Sequence, residues 1–96
     1  MRFNKIYYIY LLANHDNRLL YVGVTSNLSQ RVHQHKSKHY IGYTSKHNIS
    51  KLVYFEAFKY VNDAIKREKQ IKSYRREKKD RLTNLKNPAW DELIPP

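Results

Sequence analysis

The sequence predicts an α+β domain, and three observations carry that prediction. Residues 7 to 35, YYIYLLANHDNRLLYVGVTSNLSQRVHQH, hold two tyrosine-rich apolar runs around the polar residues Asn14 to Asn17, followed by a capped helical pattern, which reads as a hairpin feeding a helix. A third run, KLVYFEAF at 51–58, is dense in aromatic and β-branched residues and reads as a strand. From Asn62 onward the apolar spacing takes the 3.6-residue period of a helix, and a shorter helical segment follows it. The element order is β-β-α-β-α-α.

Ninety-six residues fit one domain, with its core over about 5–93. The 41% apolar and 14% aromatic content is that of a folded chain. No run approaches the roughly 18–20 apolar residues of a membrane span, and the N-terminus lacks a secretory pattern, so a cytoplasmic protein, able to associate with the nucleoid and with no membrane role, is expected. Zero cysteines exclude disulfides and thiolate zinc sites. Nineteen Lys and Arg against eight Asp and Glu leave a net charge of +11, which on so small a surface favours a polyanion, nucleic acid above all.

Residues 6–13 are apolar on both alternating faces, as in a strand covered on both sides, and this strand should be central. A four-residue loop at Asn14 to Asn17 pairs Ala13 with Arg18, Tyr10 with Tyr21 and Tyr8 with Gly23. Gly23 leaves room for a close approach beside the two tyrosines. Thr25, Ser26 and Asn27 supply N-cap candidates for a helix over about 27–37, in which Leu28, Val32 and His35 form the inward stripe and Arg31 borders it. A snorkelling arginine and a half-buried histidine are the plain alternative for that pair.

Residues 37–50 lack a period and read as a loop, mobile or substrate-contacting, with Tyr40 and Tyr43 as possible stacking groups on nucleic acid. His35 and His39 stand four apart without an evident third partner, which disfavours zinc. In the long helix, capped at Asn62 or Asp63, Glu68 falls on the stripe of Ala64 and Ile71 and needs a partner, either Arg31 in a structural ion pair or a metal ion. Around it Lys66, Arg67, Lys69, Lys72, Arg75 and Arg76 are candidate phosphate contacts. A break near Ser73 or Lys79 leads to the segment with Leu82 and Leu85; Asn87-Pro88 ends it, and Ala89, Trp90, Leu93 and Ile94 are expected to fold back as an apolar clasp.

Tyr10, Tyr21, Arg31, His35 and, if it reaches the same face, Glu68 supply the parts that phosphodiester hydrolysis requires: an oriented water, charge on the phosphate and help for the leaving oxygen. Glu68 can hold one Mg²⁺ or Mn²⁺ whose other ligands are mainly water. Arg31 can grip the phosphate, while a tyrosine with His35 beside it orients water and relays a proton.

Tyr8-Ile9-Tyr10, Tyr21-Val22-Gly23 eleven residues after Tyr10, Arg31 and His35 in a helix, and Glu68 within AIKREKQIK together resemble the GIY-YIG nuclease superfamily, and within it the small single-domain bacterial group. The resemblance covers about residues 5–93 and implies a three-stranded antiparallel sheet flanked by helices. It also implies that Tyr10, Tyr21, Arg31 and His35 are catalytic and that Glu68 binds the divalent metal. A late asparagine belongs to the pattern, Asn87 or, as the alternative, Asn84. Tyr8 stands where the motif has its first glycine, and Val24 stands where some catalytic members carry a lysine.

The expected activity is that of a Mg²⁺-dependent endonuclease, structure-selective or weakly specific, acting on DNA rather than RNA, in repair or recombination and targeted by its own surface or a protein partner. The alternative is a non-catalytic nucleic-acid-binding module on the same scaffold. An adaptor built around the Trp90 tail has little positive support.

Overall fold

The structure is a computed structural model that describes residues 5–38 and 42–96. The chain runs β1 (Tyr7–Ala13), β2 (Leu20–Thr25), α1 (Leu28–Lys36), α2 (Tyr43–Lys46), β3 (Lys51–Phe58), α3 (Val61–Lys72) and α4 (Arg76–Lys86). The three strands form one antiparallel sheet in the order β2-β1-β3, so the strand that is apolar on both faces is the central one, as expected.

Alternation along β1 divides the core between the two faces. Ile9, Leu11 and Ala13 point to the side covered by α3, where Val22, Val53, Ala64 and Ile71 join them. Tyr10 and Leu12 point to the side covered by α1, where they meet Leu28, Val32, Ile49 and Leu52. Each helix buries one stripe against its face, and burying these largely apolar side chains stabilises the fold by roughly 1.5–3 kcal/mol apiece.

The hairpin register differs from the four-residue-loop expectation. Ala13 pairs with Leu20, Tyr10 with Gly23 and Tyr8 with Thr25. Arg18 and Leu19 belong to the loop because Asn14 closes it there: its Oδ1 accepts from Leu19 N at 2.9 Å and its backbone N donates to Leu19 O at 3.2 Å. Asn17 takes the left-handed backbone conformation, at φ 61°, that asparagine tolerates in turns. The shift is two residues, an even number, so every side chain keeps its face.

Asn27 caps α1, with its side chain accepting from Gln30 N at 3.1 Å. The segment read as loop contains the single turn α2, which begins after Gly42. The cap of α3 is Tyr60, with no side-chain hydrogen bond, rather than Asn62 or Asp63; those two lie inside the first turn. The helix ends at Ser73, where the break was expected. After α4, Trp90 packs onto the α3 face and Leu93 onto the α1 face, and Leu93 N donates to Leu52 O on the edge of β3 at 2.8 Å. Ala89 and Ile94 are exposed, so the clasp consists of Trp90 and Leu93. No helix among the described residues is long and apolar enough to cross a membrane.

Candidate active site

Tyr10 and Tyr21 share the α1 face of the sheet, although they are not directly opposed. Tyr10 lies across from Gly23 and Tyr21 across from Leu12. The glycine is what seats the first ring, since a Cβ at Gly23 would stand 2.4 Å from both Cζ and Oη of Tyr10. With that seat available, Tyr10 is fully buried, and its ring lies 6.2 Å from that of the half-buried Tyr21.

The last turn of α1 brings His35 to this pair. Its ring lies 6.0 Å from Tyr10 and 5.4 Å from Tyr21, centroid to centroid. Its Nε2 is 3.3 Å from Tyr10 Oη, and its Nδ1 is 3.1 Å from Thr44 Oγ1. Burial, and then the Arg31 guanidinium four residues back, push the His35 pKa below its ordinary value of 6.5. The imidazole is therefore neutral at pH 7, with one nitrogen to donate and one to accept.

Arg31 is half-buried at the border of the α1 stripe, as the spacing predicted, and its charge is felt at His35. The structure therefore gathers four of the expected residues, Tyr10, Tyr21, Arg31 and His35, on one face. Glu68 is also buried as expected, at 9% exposure between Ala64 and Ile71, but α3 covers the opposite face from α1. Its partner is Lys72, with Nζ 2.6 Å from Oε2, rather than Arg31. The face of the sheet that each helix covers, which no local pattern encodes, decides this separation.

Among the described residues no three His, Cys, Asp or Glu side chains gather into a metal site. A divalent ion can be held by a single protein carboxylate where it is Mg²⁺, which retains most of its water. Glu68 fits that requirement: it is a buried carboxylate whose ion-pair partner among the described residues is the half-exposed side chain of Lys72.

Asn87, the C-cap of α4, is committed to the backbone. Its Nδ2 donates to Val53 O and Asp91 O, both at 2.9 Å, and its Oδ1 accepts from Asp91 N at 3.1 Å. Val53 is the extra residue where the β1–β3 register slips between Leu11 and Leu12, so Asn87 satisfies a carbonyl at a bulge. Asn84 instead accepts from Trp90 Nε1 at 2.6 Å.

The basic helices divide in the same way. Lys66, Lys69, Lys72 and Arg75 are exposed. Arg67 is engaged by Glu56 of β3 through Nε–Oε1 and Nη2–Oε2 contacts of 2.9 Å each, and it also meets Gln70 and Tyr74. Arg76 pairs with Asp80 at 2.7 Å and donates to the carbonyls of Asn17 and Arg18, fastening the hairpin loop. Tyr43 is exposed on α2, its ring 4.6 Å from that of His47. Tyr40 and His39 lie outside the described residues.

Two participants escaped the sequence reading. Thr44 gave no signal, being a threonine in an aperiodic polar segment. Glu56 did give one, as the lone acid in the run KLVYFEAF; Tyr54 donates to it, and although burial pushes its carboxyl up, the hydrogen bonds from Arg67 and Tyr54 outweigh this and hold it below the ordinary range.

Comparison with known proteins agrees with this fold. The GIY-YIG catalytic domain model matches residues 6–81. A UPF0213 protein of Haloquadratum walsbyi is 38% identical over 79 residues, 82% of this chain and 88% of the relative. A UPF0213 protein of Natronomonas pharaonis is 38% identical over 76 residues, 79% of this chain and 88% of that one. The solution NMR structure of a UPF0213 protein from Bacillus halodurans superposes with a TM-score of 0.58 at 29% identity, covering 91% of this chain and 92% of the other. With the family model spanning residues 6–81 and relatives 38% identical over most of both chains, the chain belongs to the GIY-YIG catalytic-domain family.

Proposed function

We propose that this protein is a Mg²⁺-dependent endonuclease that hydrolyses phosphodiester bonds in DNA, structure-selective or weakly specific. Membership of the family implies nuclease-type activity and a nucleic-acid substrate. The observation that carries the finer reading is the contact of a neutral, buried imidazole with two tyrosines, beside an arginine on the same helix.

Phosphoryl chemistry needs a positioned water and positive charge on the phosphate. Half-buried Tyr21 is the phenol that a substrate water can reach, and fully buried Tyr10 stands behind it against His35. Tyr21 orients that water and passes its proton toward the Tyr10–His35 pair, while Arg31 neutralises the phosphate. Glu68 would hold the Mg²⁺, which supplies Lewis-acid stabilisation of charge on a phosphate; because α3 and α1 cover opposite faces of the sheet, the ion would have to serve the Arg31-bound phosphate from around the sheet's edge. Lys66, Lys69, Lys72 and Arg75 bind the nucleic-acid backbone, with Tyr43 available to stack on a base. Arg67 and Arg76 belong to the fold, and Asn87 supports β3 rather than touching the substrate.

A second reading, a binding module without catalysis, is favoured by the Glu68–Lys72 ion pair, which occupies the carboxylate that the metal would need. One experiment separates the two: wild type and Glu68→Ala are incubated with duplex, single-stranded, flap and branched DNA and with RNA, at low salt with Mg²⁺. Cleavage by the wild type alone is expected. Salt-sensitive binding without cleavage by either protein would leave the binding module, and equal cleavage by both would remove Glu68 from the mechanism.

A further inference from the structure

We infer that Thr44 is a positioning residue that fixes His35 as the Nδ1–H tautomer and thereby turns the Nε2 lone pair toward the hydroxyl of Tyr10. The inference rests on the proposed chemistry for its catalytic meaning, but not for its geometry. His35 has a hydroxyl on each ring nitrogen, Thr44 Oγ1 at 3.1 Å from Nδ1 and Tyr10 Oη at 3.3 Å from Nε2. Thr44 is buried, and so is Tyr10.

A neutral imidazole between two hydroxyls can be ordered in either direction, and the acidity of the partners decides which. A phenol, with a pKa of about 10, is a far stronger hydrogen-bond donor than an aliphatic alcohol. The lower-energy order therefore has Tyr10 O–H donating to Nε2 and Nδ1–H donating to Thr44 Oγ1. In that order the tyrosine proton already points to a base. In the reverse order Nε2–H would donate to Tyr10, and the histidine could accept nothing from it.

Local structure explains how an otherwise unremarked threonine comes to this place. The turn α2 follows Gly42, whose φ of 149° is poorly tolerated by other residues. Ile49 N donates to Thr44 O at 2.9 Å, and Ile49 is fully buried in the α1-face core, so the turn is tied to the same core as His35. Among the described residues, the groups facing His35 include Tyr10 from β1, Tyr21 from β2, Thr44 from α2 and, on its own helix, Arg31. The two hydroxyls at its ring nitrogens set the proton's place, and the Arg31 charge favours the neutral ring in which that choice exists.

The test reads the tautomer directly, from the ¹⁵N chemical shifts of the His35 ring in the free protein at neutral pH. Wild type and Thr44→Ser are expected as the Nδ1–H form, and Thr44→Val as the Nε2–H form or a mixture. Wild type in the Nε2–H form would overturn the inference, as would a folded Thr44→Val that keeps Nδ1–H. Should Thr44→Val not fold, the wild-type tautomer decides alone. Orienting partners of metal-ligating histidines are worth about 10- to 100-fold, and a loss of that size in kcat, with KM unchanged and restored by Thr44→Ser, is expected where cleavage is measured. Absence of cleavage by the wild type would sink the nuclease proposal and leave the tautomer result standing.

Discussion

Gly23→Ala isolates the contact on which the tyrosine site is built. The new methyl would lie 2.4 Å from Tyr10 Cζ and Oη and 2.8 Å from Cε1, well inside van der Waals contact. The ring must shift, yet it is fully buried and its hydroxyl meets His35. Overpacking of this kind costs about 1–3 kcal/mol. Against it stands a gain of about 0.4–1 kcal/mol from the lower entropy of the unfolded chain. The net is a destabilisation centred near about 1.3 kcal/mol, or a fall in Tm of about 5–10 °C for a domain of this size. Urea and thermal unfolding of Gly23→Ala, Tyr10→Leu and the double variant measure it as a cycle. In the Tyr10→Leu background the penalty should disappear and the small entropic gain emerge. A single Gly23→Ala variant that melts at or above wild type, with no coupling to Tyr10, would refute the steric seat.

Three further outcomes follow from individual contacts. Asn87→Ala leaves Val53 O without its side-chain donor and should lower the unfolding free energy by about 1–3 kcal/mol in urea titration. Arg67→Met strands the partly buried Glu56 carboxylate and should cost about 2–4 kcal/mol. Because the folded Glu56 pKa lies below its ordinary 4.5, the pair contributes stability above that value and loses it as pH falls through the folded pKa, so the variant should show a flatter acid limb. Arg31→Met should raise the His35 pKa toward 6.5, though not fully, because burial is the larger cause. His35 is depressed in the native state, so its contribution is complete above about pH 6.5 and lost as pH falls through the folded value, and NMR titration should find that window narrowed in the variant.

Much of the architecture was legible because it is written locally. The run at 51–58 has the strand's composition throughout, and β3 is found at those residues. Apolar side chains on both faces of β1 marked the central strand. The loop length was less legible, since Asn14 and Asn17 announce a turn without stating that Arg18 and Leu19 belong to it. The error of two residues preserved the faces, which is why Tyr10 and Tyr21 still meet. The period of α3 placed Glu68 on a buried stripe but not on a side of the sheet, because that is a matter of topology. The role of Thr44 depends on a one-turn helix with no periodicity to reveal it.

The most direct measurement is the single-turnover rate of DNA cleavage with Mg²⁺ for wild type and Tyr21→Phe, alongside the binding affinity of each. Tyr21 is half-buried and its hydroxyl makes no hydrogen bond among the described residues, so its loss should leave fold and binding near wild type. A proton-handling group contributes about 10²- to 10⁴-fold, and a fall in rate of that order at unchanged affinity is expected. A Tyr21→Phe protein that cuts at the wild-type rate would contradict the tyrosine–histidine site.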